Sequence, residues 1–422
     1  EERRKLRTLS LLPNPVVFTL SNGIRVVHQP MDRDVAHCGL MIAAGSRDEE
    51  DEEHGLAHFL EHCFFKGTKT RKNHHILSRL DAVGGELNAF TAKEETWIHA
   101  SMLKEHYERA IELIADITFH PSFPTEEIEK EKEVIIDELN SYFDSPSEMI
   151  FEEFDEHLFG KHSLGRSILG SKESINSMKR SHLERFRKRN LSAEQLVFSS
   201  AGNIPIDKLQ LILEKHLGKE KLSPFTQKRV KPSLKSGKKI YVEKDIHQVN
   251  FLIGGKAYAY PHKLRPALTL LTNVLGGPAL NNKLSMVIRE KHGLAYHVEC
   301  TYAPFTDCGI FSLYLGTDKE NLKKAIDLCE KTLGYYKENK MTARQLQEAK
   351  KQIIGQMALA QDSGSALMFN LGKSLHQFNR IDTMKEVFRK LEEITAEQIQ
   401  QAANDTFHFE KMNVLAYVPR KN

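Results

Sequence analysis

Three side chains that can do chemistry together lie in one short segment, His58-Phe59-Leu60-Glu61-His62. On a helix, His58 and His62 are four residues apart and therefore stack on one face, where two imidazoles can bind one metal ion. Glu61 lies at the edge of that face, within reach of a proton on a metal-bound water. The pattern is the inverse of the HExxH motif and predicts a metal-dependent hydrolytic centre.

The alternative interpretation is a helix that merely contains two hydrogen-bonded histidines and a carboxylate. The residues around the motif argue against it, because they are apolar on every side: Leu56, Ala57, Phe59, Leu60, Phe64 and Phe65. Ionisable groups in so apolar a helix are costly unless they are paired or bind a metal. We therefore predict that His58 and His62 are metal ligands.

A catalytic zinc site normally uses three protein ligands and keeps one position open, so two histidines leave one ligand missing. The predicted helix Thr125–Tyr142 offers candidates. One stripe of this helix, with spacing of three and four residues, contains two acids among apolar and aromatic residues: Ile128, Glu131, Ile135, Glu138 and Tyr142. Acids in a stripe built for burial need a partner. Spacing alone does not decide between Glu131 and Glu138.

The segments around the motif predict the elements that position it. Ser21-Asn22-Gly23 joins two apolar alternating runs, which is typical of a β-hairpin. An alternating run rich in Thr, Phe, Trp and Ile predicts one strand over Leu87–Ser101. Further predictions are a strand over Cys38–Ala44 and helices over Gly55–Phe65, His106–Phe119, Thr125–Tyr142 and Pro205–Leu217.

The segment from Gly218 to about Lys239 is polar, rich in lysine and punctuated by Pro, Ser and Gly. This composition is typical of a linker. It predicts an N-terminal metal-binding domain over residues 12–218, a linker over 219–238 and a C-terminal domain over 239–422. A chain of 422 residues is long enough for two such cores.

The two halves resemble weak copies of each other. Thr125–Ser145 aligns with Ala343–Ser363 without gaps, and Glu138 then falls on Gln356. His58 and His62 fall roughly on Ala267 and Leu271, so the second half has no metal set of its own. Internal duplication explains the match, although two unrelated amphipathic helices could also give it. One metal ion per chain follows.

Composition limits the classes of function. Hydrophobic residues make up 40% and charged residues 28% of the chain, as in soluble globular proteins. The net charge of +3 and the lack of a basic stripe argue against nucleic-acid binding, and no apolar run is long enough for a membrane span. Five cysteines without a CxxC pair suit a reducing compartment, so we expect a cytoplasmic protein, although a removed signal or transit segment is compatible with the sequence.

Three segments closely resemble the pitrilysin/insulinase and mitochondrial processing peptidase family: His58–Thr68, Leu87–Ser101 and EKEKEVIIDEL at 129–139. The resemblance covers nearly the whole chain and matches the family's short, two-domain, bacterial-type members. It implies that Glu138, 76 residues after His62, is the third zinc ligand. It also implies that Glu131 supports the ligands from a second shell.

The same resemblance implies substrate contacts. Arg289 and Tyr296 match a family pair that contacts the substrate near the scissile bond. Both can donate to a carbonyl oxygen that gains negative charge. An edge strand to which a peptide adds through its main chain is implied for the residues Asn88, Ala89, Phe90 and Thr91. Family members enclose extended peptides in a chamber of four domains, so a two-domain chain implies a homodimer with shared active sites.

The sequence therefore predicts an α/β (α+β) fold with two homologous domains, each a mixed or antiparallel sheet with helices packed on one side. It predicts an endopeptidase or oligopeptidase with one Zn²⁺ per chain and Glu61 as general base. Three alternatives stay open. One is a processing peptidase for targeting presequences, although no glycine-rich loop of that kind is visible. The others are a non-catalytic scaffold subunit and a structural metal protein.

Overall fold

The computed structural model describes residues 12–226 and 228–420. Its strands are β1 (Val16–Thr19), β2 (Arg25–Pro30), β3 (Val35–Ile42), β4 (Glu86–Thr91), β5 (Thr96–Leu103), β6 (Leu196–Gly202), β7 (Lys239–Lys244), β8 (Val249–Ala257), β9 (Ala295–Pro304), β10 (Gly309–Thr317) and β11 (Asn413–Pro419). Its helices in the first half are α1 (Leu56–Phe64), α2 (Asn73–Asp81), α3 (Tyr107–Phe119), α4 (Thr125–Phe143), α5 (Pro146–Phe159), α6 (Lys172–Ser177), α7 (Arg180–Asn190) and α8 (Ile206–His216). Those in the second half are α9 (Arg265–Gly276), α10 (Leu322–Glu338), α11 (Ala343–Ala360), α12 (Gly364–Phe378), α13 (Met384–Glu392) and α14 (Ala396–Thr406), with a π-helical segment at Ser285–Lys291. Within the described ranges, no helix has both the length and the apolar character that a bilayer span requires.

The chain forms two compact units that are not continuous in sequence. The first unit holds the described residues of Glu1–Ile136, Ile168–Lys228 and Ala358–Val387, and the remaining described residues form the second. The main division after Lys228 falls inside the predicted linker. However, each unit also contains a segment from the other half of the sequence. The predicted domains over 12–218 and 239–422 are continuous and therefore differ from these units.

The first unit contains a six-stranded sheet within the described residues, in the order β1-β2-β6-β3-β5-β4. Strands β2 and β6 are parallel, and all other neighbours are antiparallel. The predicted hairpin is confirmed, with Val16 paired to His28. The prediction of one strand over Leu87–Ser101 is wrong. The chain reverses there after Thr91, and Thr91 pairs with Thr96 across the β4–β5 hairpin.

That error has a local cause. The turn between β4 and β5 contains neither glycine nor proline, and it closes through a hydrogen bond from the Ala92 N–H to the Glu95 carbonyl at 2.8 Å. Without either residue to mark the turn, two short alternating runs look like one long strand.

Both faces of the first sheet are buried. One face packs on α1, α3 and neighbouring helices through the main hydrophobic core, which includes Val26 and Ile98. The other face, which includes Val27 and Trp97, packs on α12 through Met368. The predicted α/β fold is confirmed, and the sheet carries one additional helix on the face that the sequence left uncovered.

The second unit repeats this arrangement. Its five-stranded sheet, counted within the described residues, has the order β7-β11-β8-β10-β9, which matches β2-β6-β3-β5-β4 strand for strand. The pair β7 and β11 is parallel, like β2 and β6, and the others are antiparallel. Here α5 covers the sheet, and Phe154 and Leu158 pack in one core with Leu252 and Tyr417. The matching strand orders support internal duplication, with α5 and α12 in equivalent places.

A histidine is buried in the core of the first unit, on the parallel pair β2 and β6. Its Nδ1 lies 3.0 Å from Ser200 Oγ, which also lies 3.0 Å from the Tyr107 hydroxyl. Burial lowers the pKa of His28 to about 4, from an ordinary value of 6.5. Because the folded-state pKa is depressed, stability is full above about pH 6.5 and is lost as the pH falls towards 4.

We expect His28 to reduce the free energy of unfolding by about 2 kcal/mol between pH 7 and pH 5. The variant His28→Asn does not titrate, so its urea midpoint should fall less over this range than that of the unmodified chain. The half-buried His99, whose pKa is also lowered to about 4, is present in both proteins and cancels in the comparison. Equal pH slopes in the two proteins would show that His28 is not a source of acid sensitivity.

Candidate metal centre

The helix that carries the two histidines begins at a fixed point. Gly55 precedes α1 with φ +88°, and a Cβ there would lie 2.7 Å from the Gly170 Cα, so both the backbone angle and the space require glycine. The buried Glu49 carboxylate accepts hydrogen bonds from the Gly55 N–H at 3.0 Å and the Ala57 N–H at 2.8 Å. A carboxylate at a helix N-terminus is stabilising and satisfies orphan N–H groups.

A second acid, Glu53, holds the segment before α1 against α7. It is fully buried and forms ion pairs with Arg189 at 2.6 Å and Arg185 at 3.1 Å. Burial opposes ionisation of Glu53, but the hydrogen bonds from Arg189, the Glu50 N–H and Arg185 outweigh it and lower the pKa of Glu53. The start of the motif helix is therefore tied to the rest of the first unit by charged side chains.

The structure brings the three predicted metal ligands together. The Nε2 atoms of His58 and His62 are 3.2 Å apart, and the two rings meet at 68°. Helix α4 is one unbroken helix that starts in the first unit, and its residue Glu138 lies beside the pair. One ligand atom from each of His58, His62 and Glu138 lies within 4.8 Å of the others, which makes this the group able to hold a metal among the described residues.

The donor set fits a divalent metal of the zinc type. Two ligand atoms each about 2.0 Å from a tetrahedral zinc lie roughly 3.3 Å apart. The separation of 3.2 Å between the two imidazole nitrogens is close to this value. Burial, reinforced by His62, lowers the pKa of His58 to about 3, so its imidazole is neutral at physiological pH. Metal binding requires this neutral form.

Glu131 takes a different place from Glu138. It is buried, and its Oε1 lies 2.8 Å from His62 Nδ1, on the side of the ring away from His58. Its Oε2 lies 2.5 Å from Lys66 Nζ. Burial opposes ionisation, yet the hydrogen bonds from His62 and Lys66 prevail and lower the pKa of Glu131. A carboxylate in this position fixes the tautomer and orientation of a ligating imidazole.

The predicted general base lies at the edge of the same helix face. Glu61 is half-buried, and its Oε2 accepts a hydrogen bond of 2.7 Å from the Thr91 hydroxyl. Thr91 is the last residue of β4, so the carboxylate is anchored to the sheet as well as to α1. The spacing of the motif placed Glu61 beside the histidines but gave no indication of this anchor.

The predicted substrate strand is β4. It ends the first sheet, with β5 as its neighbour on one side, so its other edge offers main-chain groups to an added strand. Asn88 is exposed, and Ala89 and Thr91 are half-buried. Phe90 packs edge-on against Phe369 with the ring centroids 5.3 Å apart. Peptide binding at this strand stays a prediction.

Arg289 and Tyr296 belong to the second unit. Arg289 lies in the π-helical segment and donates through Nε to Glu290 Oε1 at 2.8 Å. Tyr296 lies in β9, with 65% of its surface exposed. Both side chains reach solvent, and their contact with substrate stays a prediction.

Sequence reasoning missed two contributors to the site. The acid-rich run before Gly55 indicates a helix start, but Glu49 is the most distant of the five acids in residues 49–53, so spacing does not single it out as the cap. The link from Thr91 to Glu61 could not be found either, since it depends on how β4 packs beside α1.

We expect Glu131→Gln to weaken zinc binding by about 10- to 100-fold, because the amide is a poorer acceptor for the His62 ring N–H. Zinc affinity is measured by competition with a chromogenic chelator. Glu133→Gln, an exposed acid on the same helix, is the matched control and should leave the affinity unchanged. Equal affinities for the two variants would contradict the supporting role of Glu131.

Two family models match the chain. The model described as Insulinase (Peptidase family M16) matches residues 25–172, which include His58, Glu61, His62 and Glu138. The model described as Peptidase M16 inactive domain matches residues 177–353. These matches agree with the division into a half with a ligand set and a half without one.

The chain is also similar to curated proteins and solved structures. It is 32% identical to an "uncharacterized zinc protease" of Bacillus subtilis, over 92% of this chain and 95% of that protein, and 30% identical to one of Rickettsia bellii, over 93% and 94%. Its fold matches the crystal structure of a "peptidase M16 inactive domain" from Pseudomonas fluorescens (TM-score 0.89, 21% identity, 97% of this chain and 99% of that one). It also matches that of a "protease from Helicobacter pylori" (TM-score 0.88, 21% identity, 97% and 100%). With an M16 peptidase domain followed by an M16 inactive domain, and with relatives this similar over nearly their full length, the chain belongs to peptidase family M16, the insulinase family.

Proposed function

We propose that this chain is a zinc-dependent endopeptidase that hydrolyses extended or unfolded peptides. The observation that carries the proposal is the convergence of His58, His62 and Glu138 beside Glu61. Each residue comes from a helix whose position is fixed by other contacts. The names of the curated relatives, which include zinc proteases, support the choice of metal.

His58, His62 and Glu138 would hold the zinc ion, and Glu131 would keep the His62 ring in the ligating orientation. When bound, zinc polarises a substrate carbonyl and lowers the pKa of water towards about 7. Three protein ligands are the set expected at a catalytic rather than a structural zinc site, which favours hydrolysis over a purely structural metal role.

Glu61 would act as the general base and then as the general acid. Its carboxylate accepts a proton from the attacking water as the new C–O bond forms. It returns that proton to the leaving amine when the peptide C–N bond breaks, so the carboxylate is regenerated. The hydrogen bond from Thr91 keeps one carboxylate oxygen in place during both transfers.

The substrate would add to the open edge of β4 as an extra strand, with main-chain hydrogen bonds to the segment Asn88–Thr91. This mode selects extended peptides, because a residue inside a folded domain has its main-chain groups already paired. Arg289 and Tyr296 would donate hydrogen bonds to the carbonyl oxygen as negative charge develops on it.

We further propose a homodimer that encloses peptides in a chamber of four domains. Each zinc set would use the Arg289 and Tyr296 of the partner subunit. One chain carries both sets of residues, so two identical chains suffice. A cytoplasmic location stays our prediction, and the five buried cysteines, all free thiols, are compatible with a reducing compartment.

A non-catalytic scaffold subunit is the main alternative from a different class. The match of the second half to an inactive-domain model describes that half alone. A scaffold would not need to retain His58, His62, Glu138 and Glu61 together, so the complete set favours catalysis. Processing of targeting presequences is a narrower alternative within the peptidase class, and a comparison of presequence peptides with unrelated peptides would distinguish it.

We expect about one zinc ion per purified chain, and we expect Glu61→Gln to abolish peptide turnover while the zinc is retained. The measurements are metal analysis and hydrolysis of an internally quenched peptide. Glu133→Gln, an exposed acid on α4, is the control and should keep full turnover. Hydrolysis that survives Glu61→Gln would remove the general-base role, and a metal-free chain that hydrolyses peptides would remove the proposal.

The shared-site proposal predicts complementation between two inactive variants. Glu61→Gln disables one zinc site, and the double variant Arg289→Ala/Tyr296→Phe disables the other set of groups. A mixed dimer then contains one complete site only if the sites are shared between subunits. We expect mixing to restore measurable hydrolysis, and no recovery in a confirmed mixed dimer would place each complete site within a single chain.

A further inference from the structure

The hydroxyl of Thr91 donates a hydrogen bond of 2.7 Å to Glu61 Oε2. The two residues are 30 positions apart and lie on different elements, β4 and α1. A glutamate side chain has three rotatable bonds, and a half-buried one near the edge of a helix face can adopt several orientations. The hydrogen bond from Thr91 selects one of them.

The position of Thr91 is itself fixed on both sides. Thr91 pairs with Thr96 across the β4–β5 hairpin. The turn that follows is tied to the loop before α1, because the Ser46 N–H donates to the Ala92 carbonyl at 3.2 Å and the Arg47 N–H to the Lys93 carbonyl at 2.8 Å. The hairpin turn and the loop that leads to the motif helix are therefore joined by main-chain hydrogen bonds.

Side-chain contacts strengthen the same junction. Arg47 Nη1 lies 2.6 Å from Glu94 Oε1; the Arg47 side chain is buried, and that of Glu94 is mostly buried. At Gly45, a Cβ would lie 2.0 Å from the Ala92 carbonyl oxygen, so the approach of the two segments requires glycine. A buried, paired charge next to a close main-chain contact resists displacement.

We propose that Thr91 is a positioning residue that orients the Glu61 carboxylate for proton transfer and ties it to the strand on which the peptide docks. The inference rests on the proposed peptidase function. Because Oε2 is anchored, rotation of the carboxylate is restricted, and its proton-accepting geometry is set before substrate arrives. Since Thr91 ends β4, a peptide that adds to this edge meets a base already aligned with the strand.

This role differs from a substrate contact. A peptide strand added to β4 would bind main-chain groups, which any side chain at position 91 retains. Loss of the hydroxyl therefore leaves the docking groups intact and removes one hydrogen bond from the Glu61 carboxylate. The two roles consequently affect different kinetic constants.

The test uses Thr91→Val in the full-length, zinc-loaded protein. Val has nearly the same shape but no hydroxyl, so we expect kcat to fall by about 10- to 100-fold while KM changes by less than about threefold. Zinc content should stay at the level of the unmodified chain. Thr91→Ser, which restores a hydroxyl, should recover most of the lost kcat.

Thr96→Val is the matched control. Thr96 faces Thr91 across the hairpin, and its hydroxyl donates to the Ala44 carbonyl at 2.9 Å, so the variant also loses one buried hydrogen bond in the same hairpin. We expect a lower melting temperature with kcat little changed. An equal loss of kcat in Thr96→Val and Thr91→Val would mean that the hairpin as a whole, and not the Thr91 hydroxyl, supports turnover, and would overturn the proposal.

Binding without turnover separates the remaining possibilities. In an inactive Glu61→Gln background, we expect Thr91→Val to leave the Kd of a fluorescent peptide unchanged. A weaker Kd there, or a rise in KM with unchanged kcat, would make Thr91 a substrate contact and overturn the positioning role. If the unmodified zinc-loaded chain does not hydrolyse peptides, the proposed function itself fails. If the unmodified chain is active and Thr91→Val is equally active, the positioning role alone is overturned.

Discussion

A pair of imidazoles on one apolar helix is the constraint on which the rest of the site depends. His58 is buried deeply enough to remain neutral, and its ring lies against that of His62 with the facing nitrogens 3.2 Å apart. Such a pair is unfavourable in an apolar core unless a metal or hydrogen bonds satisfy it. Two acids supply partners for the pair: Glu131 lies on His62 Nδ1, and Glu138 lies among the ligand atoms. A third, Glu49, caps the start of the helix that carries both histidines.

The duplicated fold shows that the scaffold alone does not create this site. The five strands of the second sheet follow the order of five strands of the first, and each sheet is covered by one helix from the other half of the sequence. In the second unit, Ala267 and Leu271 are buried on the helix that corresponds to α1, where the first unit has its histidines. The same framework thus packs as an ordinary hydrophobic core when apolar residues stand in place of the two histidines.

The sequence predicted those parts of the site that depend on local spacing. His58, Glu61 and His62 follow from helical geometry, whereas Glu138 needed the family resemblance because two acids share its stripe. The helices α5 and α12 illustrate the limit. Their amphipathic patterns show that each is buried, but not that each packs on the sheet of the other half. The Thr91–Glu61 hydrogen bond could not be predicted either, because it depends on tertiary packing and residue spacing does not indicate it.

We infer above all that one divalent ion is held by two imidazoles and one carboxylate. Anomalous diffraction at the zinc absorption edge, from zinc-loaded crystals, tests this coordination most directly. The account predicts one strong peak per chain about 2.0–2.2 Å from His58 Nε2, His62 Nε2 and a Glu138 carboxylate oxygen. A peak elsewhere, or a Glu138 carboxylate turned away from a histidine pair with no ion beside it, would contradict the account.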